Sequence, residues 1–304
     1  MKPLILLALV SATFAQQPPQ PPPPRVRSFI NIVSADGKDK KILYQTDRRF
    51  EAPNWSPDGK YLLLNSAGKL WKLSLSGGEP QEVNTGSISR INNDHGISRD
   101  GKWFAISAGQ VYVVHAEGGD PRQVTDATPS YFHGWSPDGK TLAYCAQRDK
   151  NFDIYAIPFD GGTEKRLTTS PGYDDGPDYS PDGKWIYFNS DRSGSWDIWR
   201  IPAEGAGPND EKAERVTSDE MEDWFPHPSP DGKWMVFVSF PKGTKGHPPN
   251  QNVVIRIMPM PSDKLTAAQP HEILSLFGGQ GTMNVNSWSP DSKYFAYVSY
   301  EILP

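Results

Sequence analysis

Short runs in which apolar and polar residues alternate recur along almost the whole chain. "TLAYCAQ" (141–147), "FDIYAIPF" (152–159) and "YFAYVSY" (294–300) each repeat with a period near two, and Gly, Pro, Asn and Asp cluster between such runs. This is the pattern of strands with one buried face, separated by turns. Apolar spacing of the helical kind is scarce. Between the runs a five-residue segment, Ser-x-Asp-Gly/Ser-Lys, occurs six times, starting at Ser56, Ser98, Ser136, Ser180, Ser229 and Ser289. Successive starts lie 42, 38, 44, 49 and 60 residues apart. A period near 40 filled with strands predicts the blades of a propeller.

One repeat shows the predicted blade. "HGW" (133–135) ends a first strand and "SPDGK" is a turn, in which Pro sets φ, Asp bonds its own backbone and Gly takes positive φ. "TLAYCAQ" is the second strand, "FDIYAIPF" the third and "EKRLTT" (164–169) the fourth. After the sixth turn only "YFAYVSY" remains before Pro304. The segment "RSFINIVSADGKDKKILYQTD" (27–47) aligns with the third and fourth strands of a blade. The expected fold is therefore all-β: a six-bladed propeller over residues 27–304, its last blade closed by two N-terminal and two C-terminal strands. Such closure removes exposed strand edges.

"WSPDGK" together with "IYFNSDRSGSWDIWRIP" (186–202) resembles the repeat of the TolB-type periplasmic propellers, which also occurs in the propeller domains of prolyl oligopeptidase-like enzymes. The resemblance covers nearly all of residues 27–304. It implies a TolB-like propeller on its own, without the α/β domain that precedes the propeller in TolB. It also implies engagement of partner proteins. No Gly-x-Ser-x-Gly elbow of a hydrolase domain is present.

The net charge of −5 argues against nucleic acid as a partner. Cys145 is the only cysteine, which excludes an intramolecular disulfide. Residues 1–15 read as a cleaved signal peptide: Lys2, then the apolar "PLILLALV", then "SATFA". That apolar run is too short to span a bilayer. "QQPPQPPPP" opens a Pro-rich tether over 16–26. A periplasmic or secreted monomer is expected.

Blade topology sorts the loops between two faces. The six "SPDG" turns and the "GG" turns form one monotonous face, which turn chemistry alone explains. Trp55, Trp135 and Trp288, each directly before a repeat Ser, read as packing between blades. The other face gathers varied loops around the channel mouth, where ligand sites collect. His95 and His133 precede their repeat Ser by three residues and His227 precedes its Ser by two. These histidines are the candidates for a general base or for ligands of a divalent metal. Asn93, Asp94, Tyr131, Asp174, Asp175 and Glu222 are candidate ligand contacts. Asp223, Trp224, His247, Gln280, Asn284 and Asn286 complete that set. The function expected is an exported cell-envelope binding or scaffold module that holds a protein, peptide or glycan. No catalytic motif accompanies it; the alternative is a carbohydrate-active lyase or hydrolase using the channel histidines. Such an enzyme requires His95 and His133 to converge rather than turn into blade interfaces.

Overall fold

The computed structural model describes residues 24–265 and 269–304. The expected leader and most of the tether lie outside the described residues. Among the described residues, no helix is long and apolar enough to cross a membrane.

Six antiparallel sheets stand around a central channel. Five are four-stranded and consecutive in sequence, with inner strands Glu51–Trp55, His95–Ile97, Ser130–Trp135, Asp174–Tyr179 and Glu222–Pro228. The sixth joins the two ends of the chain. Val26–Ser34 pairs along its whole length with Tyr294–Ile302, from Val26 opposite Ile302 to Ser34 opposite Tyr294, and Lys40–Thr46 forms the outer edge. The closure expected from the sequence is present, but the innermost strand is reduced to one bridge, Trp288 to Phe295. The preceding residues make side-chain bonds there: Asn284 and Asn286 turn their amides across the channel to Asp94 and Asp178, and the Asn286 Oδ1 accepts the Trp288 N–H at 3.2 Å.

Each repeat turn is built alike. In blade three the Ser136 hydroxyl donates to Asp138 Oδ1 at 2.6 Å, the Asp138 carboxylate takes the Lys140 N–H at 3.1 Å, and the Thr141 N–H donates back to Ser136 Oγ at 2.9 Å. These bonds stabilise the ionised form, so the Asp138 carboxyl is held below its usual range, first by the Ser136 hydroxyl and then by the Lys140 amide. The aspartates of the other five turns are lowered as well.

The core lies between blades. Phe132 and Trp135 of blade three, for example, pack with Ala105, Val111 and Val113 of blade two. Facing the channel, inner strands break register with their neighbours, as at Glu51/Asn54, Asp175/Asp178 and Trp224/His227. Residues four before the repeat Ser take the left-handed conformation in these blades: Ala52 at φ 53°, Gly176 at 63° and Phe225 at 56°. Bulges of this kind re-aim side chains, here into the channel. Gly176 has a second reason to lack a side chain: a Cβ would sit 2.7 Å from Asn189 Oδ1 and 3.0 Å from Phe225 Cδ1.

Candidate functional site

The ring brings one side chain from each of several blades onto the channel axis. His133 is at the centre. Its Nε2 lies 3.2 Å from Asp175 Oδ1 in the next blade and 3.8 Å from Asp94 Oδ1 in the previous one. Its ring stacks on Phe225 at 5.9 Å, with planes 16° apart. Burial opposes a charged imidazole, but the hydrogen bond to Asp175 and the charges of Asp94 and Asp175 outweigh it, so the His133 pKa is raised. Asp175 is held low despite its burial, by His133, by the nearby His247 and by the Gly176 N–H at 2.8 Å. Burial pushes Asp94 up, against the pull of His133 and the amides of Asn284 and Asn92. Asn93 contributes its carbonyl, which accepts from Asn284 Nδ2 at 3.2 Å. Glu51, also raised by burial, faces Arg49 at 3.7 Å.

Above this cluster, on the varied face, runs a chain of rings. Tyr131 stacks on Phe152 at 6.4 Å, and Phe152 meets Tyr173 at 4.6 Å. Tyr173 packs against Trp196 at 5.4 Å and donates its hydroxyl to Asp175 Oδ2 at 3.3 Å. His247 closes the arc, 4.5 Å from Trp224 and with Nε2 3.7 Å from Asp175 Oδ2. Tyr131, Phe152 and Tyr173 are partly exposed, whereas Trp224 is fully buried.

Toward the opposite face the channel widens into a cavity of about 250 Å³, lined by Trp55, Trp135, Trp288, His95, His133 and Asp178, among others. It opens between the turn residues Pro57, Arg99, Pro230 and Pro290. The turn face, where only turn chemistry was expected, thus also carries the mouth of a cavity. The three tryptophans expected to serve only as packing between blades also form the cavity's walls. They could not be read so from sequence, because the cavity exists only once the ring closes.

The other candidate residues divide. Asn286 donates to Asp178 Oδ2 at 2.9 Å, and His227 Nδ1 lies 3.2 Å from the same oxygen. His95 is fully buried; its nitrogens face the backbone of Ala52 and Leu63 in the neighbouring blade without making hydrogen bonds. Burial presses its pKa down to about 4. That places both His95 nitrogens against the neighbouring blade, although the residue lines the same cavity as His133. Asp174 is engaged by Arg192 at 2.7 Å. Glu222 accepts the N–H groups of Trp196 and Gly243, both at 2.8 Å. Asp223 takes the Ser239 hydroxyl at 2.6 Å, and burial pushes it up to about 7. Trp224 lies in the core, 3.9 Å from Trp196. These four hold loops and blades together: at each position the nearest partner is protein, not open space. Gln280 belongs to a glycine-rich turn whose neighbour Gly281 leaves room for Tyr300 and Glu51. Among the described residues, no three His, Cys, Asp or Glu side chains are grouped to hold a metal ion. Phe152, Tyr173 and Trp196 escaped the sequence reading; the signal available was an aromatic in the loop before a third strand or at a crossover, recurring in adjacent blades.

The model of the TolB beta propeller domain matches residues 104–267. The chain belongs to this family. An uncharacterized protein of Agrobacterium fabrum is 48% identical over 282 residues, covering 90% of this chain and 93% of that one. The solved structure of a candidate TolB from Agrobacterium tumefaciens has a TM-score of 0.86 at 48% identity, over 91% of this chain and 99% of that one. The Tol-Pal system protein TolB of Francisella tularensis is 34% identical over 90 residues, which is 27% of this chain and 19% of that protein.

Proposed function

We propose that this protein is an exported cell-envelope module that binds a segment of a partner protein across the varied-face mouth of its channel. The observation that carries the reading is the partly exposed arc Tyr131–Phe152–Tyr173, seated on the buried Asp94–His133–Asp175 cluster. Aromatic rings held rigid by hydrogen-bonded neighbours present large contact area at low entropic cost, which is the character of interface anchors. Membership of the TolB propeller family, one of whose named members belongs to the Tol-Pal system, supports a protein partner and a periplasmic location. The leader-like residues 1–15 agree with export.

The lyase or hydrolase reading has weaker support. It needs a base free to approach a substrate, and His95 is wedged between blades while His133 is engaged by two carboxylates.

The test is a photo-crosslinking residue placed at Phe152 in cells, with Asp160 in an outer turn as the control position. A discrete adduct with an envelope protein from position 152, absent from 160, is expected. Equal adducts from both positions, or none from 152, would refute it. Fractionation with and without residues 1–15 tests export separately.

A further inference from the structure

One loop reaches over the varied-face mouth. Residues 241–248 link the strands Trp234–Phe240 and Pro249–Pro259 of blade five, whereas blades one and three make the same link with residues 67–68 and 149–150. The loop is rooted on its own blade, where Glu222 accepts the Gly243 N–H at 2.8 Å. Its far end reaches away from that blade. The Pro248 carbonyl accepts the Gln280 N–H at 3.3 Å, on the way into blade six. Just beyond, Asn250 Oδ1 accepts from Arg49 Nη2 at 2.7 Å, in the crossover into blade one. His247 points to blade four, with Nε2 3.7 Å from Asp175 Oδ2. Its ring stands edge-on to Trp224 and Phe225, at 4.5 and 5.4 Å with planes 71° and 62° apart. Little else holds the middle of the loop. Pro241, Lys242, Gly243 and Lys245 are exposed. The Lys242–Glu220 pair at 2.7 Å lies in solvent, where such pairs add little. Gly243 at φ 81° and Gly246 at φ 63° have nothing within 4 Å of where a Cβ would stand. Glycines in open space let the backbone take another path, as hinges do.

The seat that His247 fills faces a charge. Among the described residues, His133 and His247 carry the only basic nitrogens within 4.0 Å of the Asp175 carboxylate. Burial raises Asp175, but His133 outweighs it and holds the carboxyl below its usual range, with smaller parts from His247 and the Gly176 N–H. Asp175 therefore stays ionised when His247 leaves, and a buried carboxylate stripped of a partner is costly. A group taking that seat must bring a donor to Asp175 Oδ2 and lie against two aromatic rings. A guanidinium does both, because it is flat, donates in its own plane and stacks on aromatic faces. We propose that residues 241–248 are a strap closed over the mouth, and that a partner segment displaces His247 and seats one arginine side chain in its place, against Asp175, Trp224 and Phe225. This rests on the reading of the mouth as a protein-binding site, and gives the partner its recognising side chain.

The strap is read with a protease that cuts after lysine only, which meets Lys242 and Lys245 there, each followed by Gly. His247→Gly should speed cleavage at these two sites about tenfold over the native protein, while the melting temperature moves by under about 4 °C. The probe for the seat is acetyl-Gly-Arg-Gly-amide, and the same peptide with citrulline, flat but uncharged, is its control. Calorimetry should find the arginine peptide bound to His247→Gly about tenfold more tightly than to the native protein, because the strap no longer competes. Saturating arginine peptide should also speed cleavage of the native loop, and the citrulline peptide should do neither. Cleavage unchanged in His247→Gly would overturn the proposal. So would an arginine peptide that binds the variant no more tightly than the native protein, or a citrulline peptide that binds as well. In cells the crosslinker at Phe152 separates this proposal from the reading beneath it. An adduct that His247→Gly strengthens supports both. An adduct that His247→Gly leaves unchanged overturns the strap alone, and no adduct from the native protein overturns both.

Discussion

Replacing His133 by Leu tests the centre of the channel, because Leu keeps most of the volume and removes the charge and the donor. In the native ring the imidazole has Asp175 at 3.2 Å and Asp94 at 3.8 Å, with side chains 2%, 7% and 8% exposed. At an effective dielectric constant of ~20, these two separations correspond to attractions of about 5 and about 4 kcal/mol. Most of that offsets the desolvation of three charged groups, so the pair energies are not the stability. What the substitution leaves is two buried carboxylates without the imidazole between them, and breaking a buried pair in this way costs about 3–5 kcal/mol. At ~2 °C per kcal/mol for a domain of this size, the melting temperature should fall by about 6–10 °C. The pH dependence is more specific. His133 has a folded pKa above its unfolded value, so its contribution is complete below about pH 6.5 and is lost as pH rises through the folded pKa. Urea unfolding followed by tryptophan fluorescence from pH 6 to 9 should show native stability declining across that window. In the variant that slope should be gone, with any remaining pH dependence shifted to Asp94 and Asp175. A loss under about 1 kcal/mol, or a variant with the native slope, would show that His133 merely fills space.

Gly176→Ala places a Cβ 2.7 Å from Asn189 Oδ1 at φ 63° and should cost about 2–3 kcal/mol in a thermal melt; a change under about 0.5 kcal/mol would contradict the bulge account. Ser136→Ala removes one turn's hydroxyl and should cost about 1 kcal/mol in urea unfolding. The six turn aspartates have folded pKa values below their unfolded ones. Their contribution should be present above about pH 3.9 and lost as pH falls further, steepening the acid limb of a pH-stability curve; a curve flat between pH 4 and 2 would contradict it. A chain lacking Tyr294–Ile302 leaves Val26–Ser34 with an open edge and should lose near-ultraviolet circular dichroism or aggregate; a soluble native-like spectrum would show that closure is dispensable.

The blade count and the closure by both chain ends were legible because they rest on local chemistry: a turn that needs Ser, Asp and Gly in order, and strands that alternate. Asp94, His133 and Asp175 were legible only singly. Their meeting depends on how far the ring rotates each inner strand, and no spacing within one repeat encodes that. Asp174, Glu222 and Asp223 show a related limit. A carboxylate in a crossover looks free in sequence, yet Arg192, the Trp196 and Gly243 amides, and the Ser239 hydroxyl reach these three from the same or adjacent blades. The cavity was hidden because Trp55, Trp135 and Trp288 had a sufficient explanation as packing, and one face of an indole can pack while the other lines a void.

The antiparallel seam between Val26–Ser34 and Tyr294–Ile302 also fixes how this molecule answers to force. Val26 lies opposite Ile302, so the two chain ends leave side by side from one corner of the sixth blade. A pull between them loads one hydrogen-bonded pair at a time, as in a zipper, and the seam yields by peeling from that corner. A pull on one end against a partner held in the channel runs along the strand instead, loading many pairs together. The same nine-residue strand is therefore weak in one direction and strong in another. A propeller held by its N-terminal segment and gripping something at its mouth is loaded along the strong one.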